Sequence, residues 1–486
     1  MTALLARGAE AGEAAPASRQ GTGRLVVVSN RVAVPKRGEP AAGGLAVALR
    51  DVMQETRGLW FGWSGETPAN PAPAPRTVKA GGIELALIDL SPAELRGFYA
   101  GFSNATLWPL FHFRLGLVRY DRAEAEMYRA VNRRFADALA PLLTPDDTVW
   151  IHDYQLIPLA EELRARGCRQ RIGFFLHIPF PPWAVFGALP HADELLRALL
   201  AHDLIGVQTA RDAEGLKDCL RQGLGLTVGA DGVVKGAGRR ARIAVHPIGI
   251  DTAGFARLAA RAAKRDEAKR LEASLAGRAL VIGAERLDYT KGLPDRMRGF
   301  AELLRRFPEH RDRVTFLQVA ARSRGEVESY RDLRRELDSL AGRINGDFAE
   351  FDWTPVRYVA RPIARDTLAG FFRLARVGLV TPLRDGKNLV AKEYVAAQDP
   401  DDPGVLVLSP FAGAAEAMTG AILVNPLDAE AMAEALRDAL AMPAADRRAR
   451  HAAMMAHLSA VTATSWAAKF LADLGAARRE PTRRAG

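Results

Sequence analysis

The feature that most constrains the fold is a recurring short run of apolar residues that ends in polar residues or glycine. The runs form two series, at 24–31, 148–154, 172–181 and 204–209 and then at 279–292, 314–325, 377–386 and 404–413. They are apolar throughout rather than alternating, which is typical of strands in a parallel sheet covered on both faces. Helical stretches lie between them, for example at 301–307, 328–344 and 429–442. This alternation predicts an α/β fold with a doubly wound sheet in each half.

The length of 486 residues favours two domains over one compact core. We predict a Rossmann-like domain at 24–247 and a second at 248–462, facing each other across a cleft. A charged, alanine-rich helix is expected to open the second domain at 255–275. The remaining segments are predicted to be a disordered N-terminal tail at 1–23 and, at 463–486, a helix that crosses back, followed by a basic tail.

Composition narrows the functional classes. The net charge of +10 comes mainly from arginines spread along the chain, without the interleaved aromatics that a groove for single-stranded nucleic acid needs. No apolar run reaches the roughly 18 residues of a membrane span. Cys168 and Cys219 form neither a disulfide framework nor a zinc-binding pattern. We therefore predict a cytoplasmic protein that binds neither nucleic acid nor membranes.

Most of the unusual polar residues come directly after an apolar run. They are Arg31, Asp153, His177, Arg286, Lys291, Arg324 and Asp385. Ligands of open α/β sheets bind at the carboxyl ends of the strands, so this pattern predicts one cleft lined from both domains. A carboxylate there can accept a hydroxyl proton or bind a sugar, and an imidazole can donate to a hydroxyl or a developing oxyanion.

Two segments have features of phosphate-binding sites. Gly43 and Gly44 open an amphipathic helix, whose N-terminus favours an anion, although a plain turn is the better interpretation of a lone Gly-Gly. Arg286 and Lys291 lie five residues apart in "ERLDYTKG" and are suited to clamp a diphosphate; a solvated charged loop is an equal alternative. The chain lacks GxxxxGK[ST], which argues against an ATP-hydrolysing P-loop.

Two further segments carry polar or aromatic groups suited to a sugar. In "LRDGKNLVAKEYVAAQDP" (383–400) an Asp-Gly turn leads into a predicted helix that carries Glu393 on its second turn. In the aromatic segment 97–114, Tyr99, Trp108 and Phe111 are candidates for a pocket wall, with hydrophobic core as the alternative. Asp153 and Glu393 also suggest the paired carboxylates of a glycoside hydrolase, but that function would leave the two phosphate-binding segments without a ligand.

These motifs together resemble the trehalose-6-phosphate synthases, a family of retaining sugar-nucleotide glycosyltransferases with the two-domain GT-B architecture. The resemblance runs from about 25 to about 465 and rests on long segments. They include "VVVSNRVAVP", "AAGGLAVAL", "FSNATLWPLFHFR", "IHDYQLIPLAEELR", "RIGFFLHIPFP", "ERLDYTKGLPDR", "TPLRDGKNLVAKEYVAAQ" and "VLSPFAGAAE". The resemblance implies transfer of glucose from UDP-glucose to glucose 6-phosphate, with the acceptor in the first domain, the donor in the second, and no metal or other cofactor.

The resemblance also implies roles for individual residues. Acceptor binding falls to Arg31, Tyr99, Trp108, Asp153 and Arg324. Donor binding falls to Gly43, Gly44, His177, Arg286, Lys291, Asp385, Asn388, Leu389 and Glu393. Of these, Asp153, His177, Arg286, Lys291, Asp385 and Glu393 are the expected catalytic residues. Same-face attack is implied, with the leaving phosphate helping to deprotonate the acceptor hydroxyl.

The chain departs from the family pattern at two places. Lys387 stands where methionine is usual, and we expect its side chain to point to solvent. Ala321 and Arg322 stand where a proline commonly precedes the Ser-Arg-Gly, which leaves open an altered acceptor or nucleotide preference. The alternatives are a synthase using another phosphorylated acceptor, such as glycerol 3-phosphate, and a catalytically inactive regulatory protein that binds sugar phosphates. Homo-oligomerisation is left open.

Overall fold

The first half of the chain forms an eight-stranded sheet. The computed structural model describes residues 23–32, 53, 58–80, 82–236, 238, 240–322 and 328–476. The strands are β1 (Leu25–Arg31), β2 (Leu59–Trp63), β3 (Arg76–Ala80), β4 (Ile83–Ile88), β5 (Thr148–His152), β6 (Arg171–Phe175), β7 (Leu204–Val207) and β10 (Arg242–Val245). Their order is β10-β7-β6-β5-β1-β2-β4-β3, and every pairing is parallel except that of β3 with β4. A separate hairpin joins β8 (Thr227–Val228) and β9 (Val234–Lys235).

The second half forms a six-stranded sheet in which every pairing is parallel. Its strands are β11 (Ala279–Arg286), β12 (Val314–Ala321), β13 (Val356–Val359), β14 (Val377–Val380), β15 (Val405–Leu408) and β16 (Ile422–Leu423). Their order is β13-β12-β11-β14-β15-β16, so the chain winds outwards in both directions from β11 as in a Rossmann fold. The predicted fold class, α/β with a doubly wound sheet in each half, is confirmed.

Helices connect the strands of both sheets and cover their faces. In the first half the α-helices are Pro92–Glu94, Trp108–Phe111, Arg122–Leu139, Leu159–Ala165, Trp183–Phe186, Ala192–Leu199 and Ala210–Leu224, and Leu95–Leu107 is π-helical. In the second half they are Thr252–Ala262, Asp266–Leu275, Leu293–Arg306, Glu328–Phe348, Arg365–Leu374, Leu389–Ala397, Ala429–Ala441, Ala444–Ala460 and Ala463–Ala476. Because strands such as β14 and β15 are buried at every residue, their continuous apolar pattern follows from coverage on both faces.

One predicted helix is in fact two. The expected helix at 255–275 is interrupted, because Thr252–Ala262 ends before Arg265 and a new helix begins at Asp266. Arg265 has extended backbone angles, and its side chain pairs with Asp366 of a neighbouring helix. A tertiary contact therefore accompanies the break, at a position where the sequence has neither glycine nor proline.

The chain crosses between the two sheets twice, at adjacent places. The segment after β10 passes beside the segment after the helix Ala444–Ala460, and a Cβ atom on Gly249 would lie 2.0 Å from the carbonyl oxygen of Val461. The last described helix then packs on the first sheet, where the ring of Phe470 stacks on Trp150 with a centroid distance of 4.6 Å. The two polypeptide crossings thus form the covalent connection between the two halves.

Candidate functional site

Residues at the carboxyl ends of the strands in the two sheets face each other. Asp153 and His177 follow β5 and β6 of the first sheet, and Asp385 follows β14 of the second. The loop that carries Asp385 reaches the first sheet, since a Cβ atom on Gly386 would lie 2.2 Å from the carbonyl oxygen of His177. Glycine is needed at position 386 for this close approach of two backbones. The residues predicted from the two halves therefore lie around one inter-sheet boundary.

Lys291, Asp385 and Asn388 form a connected group on the second-sheet side. The Nζ atom of Lys291 lies 2.5 Å from Oδ2 of Asp385, and Asn388 Nδ2 donates to the same oxygen at 2.9 Å. The backbone of Asn388 has a φ of 69°, and its Oδ1 accepts from the backbone N–H of Ala391, so it caps the helix that begins at Leu389. The arrangement places one ammonium group and a helix N-terminus side by side, which favours an anionic ligand.

Arg286 extends from the second sheet to the first. It ends β11, and its Nη2 lies 3.8 Å from Oδ2 of the buried Asp288. Its guanidinium carbon also lies 5.7 Å from the ring centroid of Trp108, which is a cation–π geometry across the boundary. About half of the Arg286 side chain remains exposed, which leaves surface for a ligand.

Arg31 and Tyr99 both lie beside Trp63 in the first half. The guanidinium carbon of Arg31 is 5.5 Å from the Trp63 ring, and the Tyr99 ring is 6.1 Å from it. Trp108 is buried beside Tyr154 and His112, with ring distances of 5.7 and 4.1 Å. Most of the Trp108 side chain therefore belongs to the core, as the alternative interpretation of the aromatic segment proposed. Phe111 is fully buried and is a core residue.

Asp153 and His177 are held by a local network. Asp153 has a φ of 74°, a conformation that costs a non-glycine residue about 1–3 kcal/mol and concentrates at functional sites. Its Oδ1 accepts from the backbone N–H of His177 at 3.2 Å. The Nε2 of His177 lies 3.0 Å from Nδ1 of the buried His152. Burial lowers the pKa of His177 to about 3, so the imidazole is neutral at physiological pH.

Glu393 lies one turn into the helix that Asn388 caps. Its Oε1 accepts from Arg365 Nε at 3.4 Å and Nη2 at 3.3 Å. Burial raises the pKa of Glu393, and the charge of Arg365 opposes that increase. Leu389, the first residue of the helix, is partly buried. Arg365 was not recognised from the sequence, because it lies in a separate helix with no distinctive motif around it.

The expectation that Lys387 points to solvent is wrong. The residue is 4% exposed, and its Nζ donates to the carbonyl oxygen of Gly413 at 3.2 Å. The backbone carbonyl of Lys387 in turn accepts from Ala414 at 2.8 Å, so the loop folds against the turn after β15. Burial lowers the pKa of the Lys387 ammonium, and Glu416 and Asp212 partly oppose this. Arg322, the other departure, is exposed.

Three of the predicted site residues, Gly43, Gly44 and Arg324, lie outside the described residues. His112 is a further residue near this boundary, and it was not recognised from the sequence. Burial lowers the pKa of His112 to about 4, and the charges of Asp288, Lys291 and Asp385 in the second half also act on it. No motif around His112 indicates that it lies close to residues of the second half.

Within the described ranges, no group of three or more His, Cys, Asp or Glu side chains is arranged to hold a metal ion. None of the helices in that part of the chain has the length and apolar character needed to cross a membrane.

Comparison with known proteins gives consistent results. The model of "Glycosyltransferase family 20" matches residues 23–476. A protein of Sinorhizobium fredii named trehalose-6-phosphate synthase is 49% identical over 457 residues, which cover 93% of this chain and 98% of the relative.

Two solved structures are similar over nearly the whole chain. One is an α,α-trehalose-phosphate synthase (UDP-forming) from Burkholderia xenovorans in complex with glucose 6-phosphate, at 46% identity and a TM-score of 0.90, covering 93% of this chain and all of that one. The other is from Escherichia coli, described as trehalose-6-phosphate bound with UDP-2-fluoro glucose, at 46% identity and a TM-score of 0.89, covering 93% of this chain and 99% of that one.

Proposed function

The chain belongs to glycosyltransferase family 20, and from this premise we propose that it transfers glucose from UDP-glucose to glucose 6-phosphate, with retention, to form α,α-trehalose 6-phosphate and UDP. The observation that carries the proposal is the grouping of Lys291, Asp385 and Asn388 at a helix N-terminus, with Arg286 on the strand beside them. This group is suited to a diphosphate attached to a sugar, because it combines cations, a capped helix and a carboxylate for hydroxyl groups.

The charges on this side of the boundary fit the leaving group. Breaking the bond between the glucose carbon and the phosphate oxygen leaves negative charge on UDP, and stabilising that charge is the main catalytic task. An ammonium has three N–H donors, so the contact of Lys291 with Asp385 leaves two for phosphate oxygens. Arg286 supplies a planar, bidentate donor, and Gly43 and Gly44 are assigned to the same diphosphate from the first domain. We assign the diphosphate to this cationic set and include no metal ion in the proposal.

The remaining residues are assigned to the two sugars and the ribose. Arg31, Tyr99, Trp108 and Arg324 hold the acceptor phosphate, and Asp153 contacts the acceptor sugar. His177 donates to the transferred glucose as a neutral imidazole, and Asp385 with the backbone at Asn388 and Leu389 holds the same sugar. Glu393 binds the ribose hydroxyls. No side chain is assigned as a nucleophile; the leaving phosphate assists deprotonation of the acceptor hydroxyl on the same face.

Two alternatives are weaker. An inactive regulatory protein has no need for an assembled donor site, yet Lys291, Asp385 and Asn388 are connected by short hydrogen bonds. A synthase for glycerol 3-phosphate would use the same phosphate-binding residues, so the acceptor assay decides between the two acceptors. A cytoplasmic location is part of the proposal, and homo-oligomerisation is left to direct measurement.

The test is a matrix of donors and acceptors. UDP-, ADP- and GDP-glucose are each incubated with glucose 6-phosphate or glycerol 3-phosphate, and the products are identified by mass spectrometry. We expect trehalose 6-phosphate and UDP from the UDP-glucose and glucose 6-phosphate pair. Absence of turnover with glucose 6-phosphate and every donor would refute the proposal.

A variant tests the donor site directly. Arg286→Ala is expected to lower kcat/KM by about 10²- to 10³-fold, the usual effect of removing one donor to a developing negative charge. Arg298→Ala is the matched control, because Arg298 is a half-exposed arginine of the nearby helix that pairs with Asp295 and Glu336. Circular dichroism establishes that both variants fold. Wild-type rates in Arg286→Ala would remove its assigned role.

A further inference from the structure

Arg296 is a fully buried arginine whose donors all have partners. It lies in the helix Leu293–Arg306 and is 0% exposed. A guanidinium has five N–H groups. The acceptors are Glu285 Oε2 at 2.6 Å and Gln318 Oε1 at 3.2 Å for Nη1, Glu285 Oε1 at 2.8 Å and the Lys291 carbonyl at 3.3 Å for Nη2, and Thr381 Oγ1 at 3.1 Å for Nε.

These acceptors come from two neighbouring strands and from two segments that follow strands. Glu285 is in β11 directly before Arg286, Gln318 is in β12, and Thr381 follows β14 at the start of the segment that leads to Asp385. The fifth acceptor is the backbone carbonyl of Lys291 itself. One rigid, planar group therefore fixes the relative positions of the segments that carry Arg286, Lys291 and Asp385.

The surroundings of the guanidinium leave it little freedom. A Cβ atom on Gly283 would lie 2.5 Å from Nη1 of Arg296, so glycine at that position makes room for the group. The backbone N–H of Leu383 donates to the Thr290 carbonyl at 2.8 Å, which joins the two loops above Arg296 a second time. The loops that carry Lys291 and Asp385 are therefore held in place by contacts within the protein, and their arrangement does not depend on ligand contacts alone.

Stability alone does not account for this ion pair. Both partners are buried, with side-chain exposures of 0% for Arg296 and 2% for Glu285. Replacing such a pair by apolar residues of similar volume is often neutral or stabilising, because the desolvation of two charges offsets most of their attraction. An apolar pair could not form directional hydrogen bonds to several separate segments, whereas Arg296 does.

We propose that Arg296 is a positioning residue of the donor site, which aligns Arg286 and Lys291 with the diphosphate of the nucleotide sugar. The proposal rests on the proposed function and adds a residue that contacts no substrate. Lysine at this position would keep the charge but offer three donors in place of a five-donor planar fork. Because the carboxylate of Glu285 attracts the ammonium most strongly, we expect a lysine to keep the contact with Glu285. It should lose the hydrogen bonds to Thr381 and to the Lys291 carbonyl.

The experiment compares Arg296→Lys with Arg447→Lys. Arg447 is also buried and bonded to two backbone carbonyls and Asp402, but Pro403 and Asp402 precede β15 at the opposite end of the sheet. We expect Arg296→Lys to raise the KM for UDP-glucose and the Kd for UDP by about 10- to 100-fold, with the KM for glucose 6-phosphate unchanged. Arg447→Lys is expected to leave all three constants unchanged, even if it unfolds at lower urea concentration.

Failure of the positioning role of Arg296 can be distinguished from failure of the proposed function. UDP binding is measured by calorimetry and needs no acceptor or turnover, whereas the proposed function fails if wild-type protein makes no product. Unchanged UDP affinity in Arg296→Lys, or equal changes in both variants, would overturn the positioning role. If Arg296→Lys does not fold, Glu285→Gln takes its place under the same criterion, because it weakens the anchor of the guanidinium and retains the shape of the side chain.

Discussion

Lys392 shows how strongly the interior of this protein acts on a single residue. Its side chain is 0% exposed, and Nζ donates to the carbonyl oxygen of Ile248, in the first crossing between the sheets, at 2.6 Å. Burial, with a smaller contribution from the charge of Lys387, lowers the pKa of Lys392 from 10.5 to about 7. The protonation of this lysine therefore changes close to physiological pH, whereas an exposed lysine would remain charged.

The pH dependence of stability should show this shift. Between pH 7 and 10.5 the unfolded chain binds a proton at Lys392 that the folded chain does not, so the free energy of unfolding rises with pH in this window. The contribution approaches about 1.4 kcal/mol per pH unit. Urea denaturation of wild type and Lys392→Met from pH 6 to 9.5 isolates it as a difference. We expect the difference to move in favour of wild type as the pH rises above about 7; two parallel curves would contradict the assignment.

At the scale of residues, the sequence predicted which polar side chains follow the strands, but it did not predict which of them are buried. The polar residues after the strands, such as Asp385 and Lys291, were identified because their position along the chain places them at the carboxyl edge. Lys387 was expected in solvent, since a lysine after an Asp-Gly turn normally is exposed. Its burial depends on the turn at Gly413, which lies 26 residues later and has no local link to it.

Among the elements, the helix Leu389–Ala397 depends on one residue in an unusual conformation. Asn388 has a φ of 69°, caps the helix through Oδ1, and binds Asp385 through Nδ2. Asparagine tolerates positive φ better than most residues, and it also supplies both hydrogen bonds. The helix N-terminus and the carboxylate of Asp385 are therefore set by the same side chain.

Substitutions at this cap should separate conformation from hydrogen bonding. Glycine accepts positive φ and costs a helix N-cap only a few tenths of a kcal/mol, whereas alanine costs about 1 kcal/mol and is strained here in addition. We expect Asn388→Ala to unfold at clearly lower urea concentration than Asn388→Gly. Both should raise the KM for UDP-glucose, because Asp385 loses its 2.9 Å bond to Nδ2. Equal stabilities of the two variants would show that the backbone conformation is not strained.

The sequence predicted the buried parallel strands best, and the exposed or interrupted elements less well. Runs such as that of β11 are apolar throughout and were recognised. The edge strand β3 was missed because it is antiparallel, largely exposed and of mixed composition. The parallel strands that were also missed are β2, β4, β10, β13 and β16. The π-helix Leu95–Leu107 was read only as an aromatic segment. Its widened turns depend on packing between elements, and no residue type marks them.

At the scale of the whole molecule, side-chain contacts join two sheets that share no strand pairing. Arg286 lies against Trp108, Arg119 donates to Glu328 at 2.8 Å, and Lys392 binds the first crossing. The polar residues at the ends of the apolar runs predicted one cleft lined from both domains, but this pattern carries no information on how closely the loops of the two domains approach. The contact between Gly386 and the backbone of His177 is therefore visible only in the structure.

This contact allows a test of how the two halves cooperate. A Cβ atom on Gly386 would lie 2.2 Å from the carbonyl oxygen of His177 and 3.0 Å from the carbonyl carbon of Ile178. Backbone atoms cannot rotate away as a flexible side chain would, so Gly386→Ala should force the donor loop and the first sheet apart. The strand pairings within each sheet should persist, because the clash is only between the two halves.

We expect Gly386→Ala to lower kcat/KM by at least about 10-fold, since a displacement of 1 Å at a site that joins two substrates can cost 10²-fold. We also expect glucose 6-phosphate to raise the UDP affinity of the wild-type protein in calorimetry and to lose this effect in Gly386→Ala, because coupling between two sites requires a shared arrangement of both halves. Gly342→Ala is the matched control, as its added Cβ atom meets no atom within 4 Å. If glucose 6-phosphate changes UDP affinity equally in Gly386→Ala and wild type, the contact at Gly386 does not couple the two sites. The crossings at Gly249 and Val461 would then be the next positions to substitute.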